Sequence, residues 1–179
     1  MKICIYGASS SEMDSRYGDA VELLGGLMAQ RGYELVFGGG ATGMMGAAVR
    51  GCARFGGKSY GIAPSFFDVE GVLYRECTKL ILTQTMRERK KRMQEMSDAF
   101  VVTPGGLGTM DEFFEIVTLK QLGRHQKPIV IYNCDRFFDP LLAMIEDGIR
   151  QKCIRPQHRE LYRVFDQAEP MLDFLEQYA

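Results

Sequence analysis

This sequence predicts a doubly wound α/β fold, a mainly parallel sheet with helices on both faces in three α/β/α layers. Three observations carry that expectation. Short apolar runs alternate with helix-period segments along the chain. Several of those runs are rich in Val, Ile and Leu without polar alternation, the pattern of parallel strands covered on both faces. Two glycine-rich stretches, Phe37–Gly46 and Pro104–Glu112, each follow an apolar run and open into a helical pattern, the turn chemistry of a strand-to-helix loop.

The elements follow in order. The opening run Lys2–Tyr6 reads as a strand, with Ile3, Cys4 and Ile5 at its centre. Arg16–Gln30 is the first helical stretch and Tyr33–Phe37 the second strand. Met44–Phe55 is helical and Lys58–Ala63 a strand. Gly61–Glu76, with Pro64, Phe66 and Phe67, reads as a longer irregular connection leading to the strand Lys79–Thr83. The alternation then continues as helix Met86–Ser97, strand Phe100–Thr103, helix Met110–Leu122, strand Pro128–Tyr132, helix Pro140–Gln151, strand Tyr162–Phe165 and helix Ala168–Tyr178. No internal repeat, low-complexity tract or linker interrupts the series, so residues 1–179 are expected to form one domain.

Composition narrows the function classes. The chain has 179 residues, 46% hydrophobic and 25% charged, the balance of a globular protein. A formal net charge of −1 argues against bulk nucleic-acid binding, which needs a strongly basic surface. Cys4, Cys52, Cys77, Cys134 and Cys153 are scattered, with no C-x-x-C pair, and His125 and His158 form no ligand-spaced cluster. Free thiols in a reducing compartment fit this better than a metal site or a disulfide framework. No apolar stretch is long enough to span a bilayer, and no charged leader precedes the first strand run. A cytoplasmic protein is the expectation.

The glycine loops carry the chemistry. Glycine turns bring bare N–H groups close to a ligand, and the helix end behind them favours an anion such as phosphate. Gly38, Gly40 and Gly43 satisfy G-x-G-x-x-G. A dinucleotide site would place that motif after the first strand, with an acidic residue ending the next one. Here the motif follows the second strand, and Lys58–Ala63 ends without an acid. Mononucleotide phosphate binding therefore fits better, beside the plainer reading of a tight turn without a ligand.

Two ionisable residues stand out. Met86, Met93 and Met96 mark the inward face of their helix, and Arg89 falls on that face. A guanidinium there must either find an anion or sit at the edge of the stripe, paired to a structural carboxylate. Glu112 sits beside Gly105, Gly106 and Gly108. It can serve chemistry at the anion cradle, or simply complement the dipole of a first helical turn. Its helix is apolar on two faces, Ile116 and Leu119 on one and Met110, Phe113, Phe114 and Val117 on the other. Such a helix packs against two surfaces, and a second subunit is a candidate for one of them.

Met86-Arg87-Glu88-Arg89-Lys90, followed by Pro104-Gly105-Gly106-Leu107-Gly108-Thr109-Met110-Asp111-Glu112, resembles the paired motifs M-x-x-R-K and P-G-G-x-G-T-x-x-E of the LOG ("lonely guy") family. These are cytokinin riboside 5′-monophosphate phosphoribohydrolases, long labelled lysine decarboxylases. Tyr6-Gly7-Ala8-Ser9-Ser10 and the Gly38–Gly46 loop fit the same family, so the likeness spans nearly the whole chain. The resemblance implies a Rossmann-like fold and a homodimer whose active sites are shared at the interface. By motif position it assigns catalysis to Arg89 and Glu112. It implies substrate binding by Ser9, Gly39, Gly40, Thr42, Gly43, Met86, Lys90, Gly105, Gly106, Gly108, Thr109 and Glu115. Leu107 where an aromatic residue is frequent, Ala41-Thr42 for a common Ser-Val, and Arg87 for a common His are departures that bear on substrate preference.

The reaction so implied is hydrolysis of the N-glycosidic bond of AMP or N6-prenylated AMP to free base and ribose 5-phosphate. Glu112 would hold the ribose hydroxyls, stabilise the ribosyl cation or orient water. Arg89 would fix the nucleotide. The scheme needs no metal and no organic cofactor. Lysine decarboxylation would need a Schiff-base lysine and an acid for the pyridine nitrogen of pyridoxal phosphate, and the resemblance assigns no lysine that role. A nucleotide-binding or carrier protein without turnover is the alternative on the same fold.

Overall fold

The computed structural model describes residues 1–179. Seven strands form one sheet, β1 (Lys2–Tyr6), β2 (Glu34–Phe37), β3 (Ser59–Pro64), β4 (Lys79–Thr83), β5 (Ala99–Val102), β6 (Ile129–Tyr132) and β7 (Arg163–Phe165), in spatial order β4-β3-β2-β1-β5-β6-β7. Every neighbouring pair is parallel. The helices are α1 (Ser15–Gln30), α2 (Gly43–Arg54), α3 (Met86–Met96), α4 (Leu107–Gln121), α5 (Asp139–Arg150) and α6 (Ala168–Glu176). The doubly wound α/β/α architecture expected from the sequence is the one observed.

Strand alternation divides the core between the two faces. Ile3, Ile5, Leu35, Phe37 and Val101 point into one cluster with α1, α2 and α6. Cys4, Tyr6, Val36, Phe100 and Val102 point into the other, against residues of α3, α4 and α5. Burying such side chains is worth roughly 1.5–3 kcal/mol each, which is why the central strands are apolar on both faces.

Chain order reverses at β1, which lies between β2 and β5. Loops on either side of such a reversal diverge and leave a crevice at the carboxyl ends of the strands. Both glycine loops leave the sheet there, one after β2 and one after β5, on either side of the loop that follows β1.

Two local expectations need correcting. α4 begins at Leu107, three residues before the expected Met110, so Glu112 lies in its second turn and the first turn holds no acid. The dipole-complement reading of Glu112 therefore falls. Met86 was expected on the inward face of α3 but is exposed as the helix's first residue, directly after the Thr85 cap; Arg89 and Met93, one and two turns further in, are the buried ones.

Candidate functional site

The three loops around β1 are stitched together by main-chain bonds. The Ala8 N–H donates to Pro104 O at 3.1 Å, and the Met44 N–H donates to Ala8 O at 2.8 Å. Thr42 Oγ1 donates to Ser9 O at 2.6 Å, and Thr103 donates to Tyr6 O through both its N–H and its hydroxyl. Between the loops lies a cavity of about 580 Å³.

The two helix ends facing this cavity differ. At α2, the N–H of Met44 is taken by Ala8 O, and the N–H of Gly46 by Thr42 O. At α4, Gly106 caps the helix without a side-chain bond, and the N–H groups of Leu107, Gly108 and Thr109 donate to no protein acceptor. Unpaired N–H groups at a helix start form an anion site. The glycines agree. A Cβ at Gly106 or Gly108 would meet no protein atom within 4 Å. Their lack of a side chain leaves room for something outside the protein. Gly43, by contrast, has φ +59°, and a Cβ there would lie 2.7 Å from Ser10 O and closer still to Ala8 O. That glycine serves the turn itself.

The floor of the cavity carries Arg89 and Glu112, 8% and 6% exposed. Their side chains form a buried ion pair, Arg89 Nη1 donating to Glu112 Oε1. Arg89 also donates from Nε to Ile62 O at 3.3 Å. α3 starts where it does because Thr85 Oγ1 accepts from the Glu88 N–H at 3.1 Å, while Glu88 accepts from the Gln84 N–H at 2.8 Å, a variant of the capping box. That fixed start aims Arg89 inward. A Cβ on Gly38 would collide with its guanidinium, so the first glycine loop makes room for it.

Burial pushes the Glu112 carboxyl above its ordinary value, and Arg89 opposes that shift. Beneath the pair, burial lifts the Cys4 thiol to about 12 and the Tyr6 phenol well above its ordinary range, so both stay neutral. A carboxylate held by one guanidinium over a neutral floor can stabilise positive charge developing above it.

The structure brings together eight of the residues expected from the sequence. Arg89, Glu112, Ser9, Gly40 and Thr42 line the cavity, as do Gly106, Gly108 and Thr109. Six lie elsewhere. Gly39 and Gly43 shape the first loop at φ +80° and +59°. Gly105 is buried, with no space for a side chain beside Thr109 and Ala8. Lys90 and Glu115 form a clamp between α3 and α4, Lys90 Nζ lying 2.9 Å from Asp111 and 3.2 Å from Glu115. Met86 sits exposed at the start of α3.

Of the Tyr6–Ser10 motif, sequence reasoning gave a site role to Ser9 alone, whereas Gly7, Ala8 and Ser10 line the cavity too; that loop's place at the chain reversal follows once the strand order is known. Sequence reasoning also missed the wall formed by Met45, Phe67, Val72 and Leu73. The segment after β3 folds back over the cavity through an antiparallel bridge between Gly40 and Leu73, a long-range contact with no local signal.

Residues 45–175 match the protein family described as "Possible lysine decarboxylase". "Probable cytokinin riboside 5′-monophosphate phosphoribohydrolase LOGL1" of Oryza sativa subsp. japonica is 34% identical over 177 residues, covering 99% of this chain and 79% of the relative. "Cytokinin riboside 5′-monophosphate phosphoribohydrolase LOG2" of Arabidopsis thaliana is 33% identical over 177 residues, covering 99% and 83%. Among solved structures, the molybdenum cofactor binding protein of Rippkaea orientalis superposes with a TM-score of 0.73 at 20% identity, covering 98% of this chain and 94% of that one. The Moco carrier protein of Chlamydomonas reinhardtii gives 0.71 at 20% identity, covering 99% and 96%. At that identity these two structures speak to the fold alone.

Proposed function

Because this chain belongs to the LOG family of cytokinin riboside 5′-monophosphate phosphoribohydrolases, we propose that it hydrolyses the N-glycosidic bond of adenosine-type 5′-monophosphates. The observation that carries this reading is one juxtaposition: a buried arginine–carboxylate pair and an unpaired helix start facing the same cavity.

In this reading the 5′-phosphate sits on the N–H groups of Leu107, Gly108 and Thr109, with the hydroxyls of Ser9 and Thr42 nearby. The ribose then lies over Glu112. As the bond from C1′ to the base breaks, the sugar takes on oxocarbenium character, which the carboxylate stabilises. Arg89 orients that carboxylate and offsets negative charge near the leaving base. Water supplies hydroxide to C1′ and a proton to the base, so the products are free base and ribose 5-phosphate. Plain and N6-prenylated AMP are both substrates. No residue in this scheme binds a metal or an organic cofactor.

The same reading makes residues 1–179 one nucleotide-binding domain working as a homodimer with a shared site. Support comes from α4, whose Leu107 lines the cavity yet is 91% exposed, with Phe114 further along the helix and Leu122 just past its end also open to solvent. A monomeric mass by light scattering at working concentration would remove the shared site. Five free cysteines suit a reducing compartment, and we place the protein in the cytoplasm. No helix is long and apolar enough to cross a membrane.

Incubation with AMP and with N6-isopentenyl-AMP tests the reaction. The expected products are adenine or its prenylated form, each with an equal amount of ribose 5-phosphate. Nucleotide binding without product would favour a carrier.

A further inference from the structure

Two charged residues singled out by the sequence, Lys90 and Glu115, lie outside the cavity lining, and the reaction above leaves them without a part. They adjoin the residues that have one. Lys90 follows Arg89 on α3, and Asp111 precedes Glu112 on α4. Lys90 Nζ donates to Asp111 Oδ2 at 2.9 Å and lies 3.2 Å from Glu115 Oε2. Gln94, one turn further along α3, donates from Nε2 to the same Glu115 oxygen at 3.1 Å. A second set of ion pairs therefore runs along the α3–α4 seam, next to the Arg89–Glu112 pair on the cavity floor.

The seam answers a problem of charge. α4 carries three carboxylates, Asp111, Glu112 and Glu115, at spacings of three and four residues that bring like charges together on a helix and disfavour ionisation. α3 meets them with two cations. Arg89 bonds to Glu112, and Lys90 bonds to the other two. Burial disfavours the Lys90 ammonium, but its bonds to Asp111 and Glu115 outweigh that and hold it above its ordinary value. Around Glu112, α3 contributes Arg89 and Lys90, α4 contributes Asp111, and β1 beneath contributes neutral Cys4 and Tyr6. Burial raises the Glu112 carboxyl most; Arg89 and Lys90 lower it, and Asp111 raises it. With Asp111 59% exposed, its bond to Lys90 adds little to stability. The larger consequence of that bond is at Glu112.

We propose that Lys90 is a positioning residue of this site: it ties Asp111 and Glu115 to α3 and offsets their charge, so that Glu112 meets the substrate ionised and paired to Arg89 alone. This rests on the hydrolase reading above. Lys90 needs no contact with the nucleotide for this role. Its ammonium works through the two carboxylates that flank Glu112 on α4.

Two substitutions separate charge from mechanical support. Lys90→Met and Asp111→Asn each remove the Lys90–Asp111 ion pair, so loss of a mere tie would act alike in both, but the charges they remove are opposite. The Glu112 carboxyl is titrated by carbon NMR in the wild type and the variants, its signal assigned with Glu112→Gln. In parallel, kcat/KM for AMP is measured over the same pH range; AMP is common to every arm, so the titration of its own phosphate cancels in the comparison. Lys90→Met should raise the Glu112 midpoint by about half a pH unit, and Asp111→Asn should lower it by about as much. The acidic limb of kcat/KM should follow, a change of roughly threefold on that limb. Lys90→Arg, which keeps the charge, should titrate like the wild type. Midpoints that move the same way in Lys90→Met and Asp111→Asn, or that do not move, overturn the proposal. So does a Lys90→Arg midpoint displaced as far as that of Lys90→Met. Failure of the hydrolase reading looks different: no ribose 5-phosphate from the wild type, while the two midpoints still move apart.

Discussion

The two glycine loops look alike in sequence and do different work. In the loop after β2, glycine serves the protein itself. Gly43 takes a left-handed turn against the loop after β1, Gly38 leaves space for Arg89, and the start of α2 is already bonded to Ala8. In the loop after β5, Gly106 and Gly108 face open space, and the N–H groups behind them have no protein partner. The first loop seats the guanidinium. The second offers the anion site and carries Glu112 one turn further along α4. A glycine pattern alone does not say which of these roles it plays. The neighbours a Cβ would meet, and the fate of the helix's first N–H groups, do say so.

The sharpest break in this comparison is Glu112→Gln, which removes the charge that the second loop's helix delivers and keeps its shape. Turnover should fall on the order of a hundredfold or more with the fold intact. Undiminished turnover in a folded variant would take Glu112 out of the chemistry.

Adenosine against AMP tests the anion site. Without the phosphate, the N–H groups of the second loop are left unpaired once water is excluded, at roughly 1–3 kcal/mol each. Catalytic efficiency should favour AMP by about a hundredfold. Comparable values would contradict phosphate binding at α4.

Arg89→Lys tests the seat made by the first loop. Lysine keeps the charge but cannot reach both Glu112 and the Ile62 carbonyl with a planar fork. A drop in turnover of about tenfold is expected, with some loss of melting temperature because the buried Ile62 carbonyl loses its partner. Full activity would show that a point charge is enough.

The pH profile gives a smaller, directional effect. Burial raises the Glu112 carboxyl from its ordinary 4.5, so the carboxylate is lost sooner as pH falls. The acidic limb of kcat/KM, which reports the free enzyme, should therefore lie above pH 4.5. Arg89 lowers that value, so replacing Arg89 with Met should push the limb higher still. A limb that stays fixed in the Arg89→Met variant would mean another group governs it.

Much of this was legible in the sequence. The strand–helix alternation, the parallel character and both loops at one sheet edge followed from apolar runs and glycine turns, and Arg89 stood out as a charge on an apolar stripe. The rest depended on tertiary contacts. Gly-Leu-Gly-Thr reads as loop by propensity, yet α4 begins inside it, which moves Glu112 to the second turn. Lys90 and Glu115 bear charges suited to a ligand, but the packing of α3 on α4 pairs them with each other. The Phe67 wall depends on the return of residues 65–73 onto Gly40, between segments far apart in the chain.

The comparison is tested most directly by making the same substitution in both loops and measuring melting temperature and AMP affinity. Gly43→Ala should destabilise by on the order of 1–3 kcal/mol, because an alanine there is strained and crowded. Gly108→Ala should melt at the wild-type temperature or about 2 °C above it, since alanine favours the helix and meets no protein atom. Its AMP affinity should nevertheless fall roughly tenfold, the cost of about one lost contact at the helix start. A Gly108→Ala protein that binds AMP as tightly as the wild type would contradict the placement of the phosphate on α4.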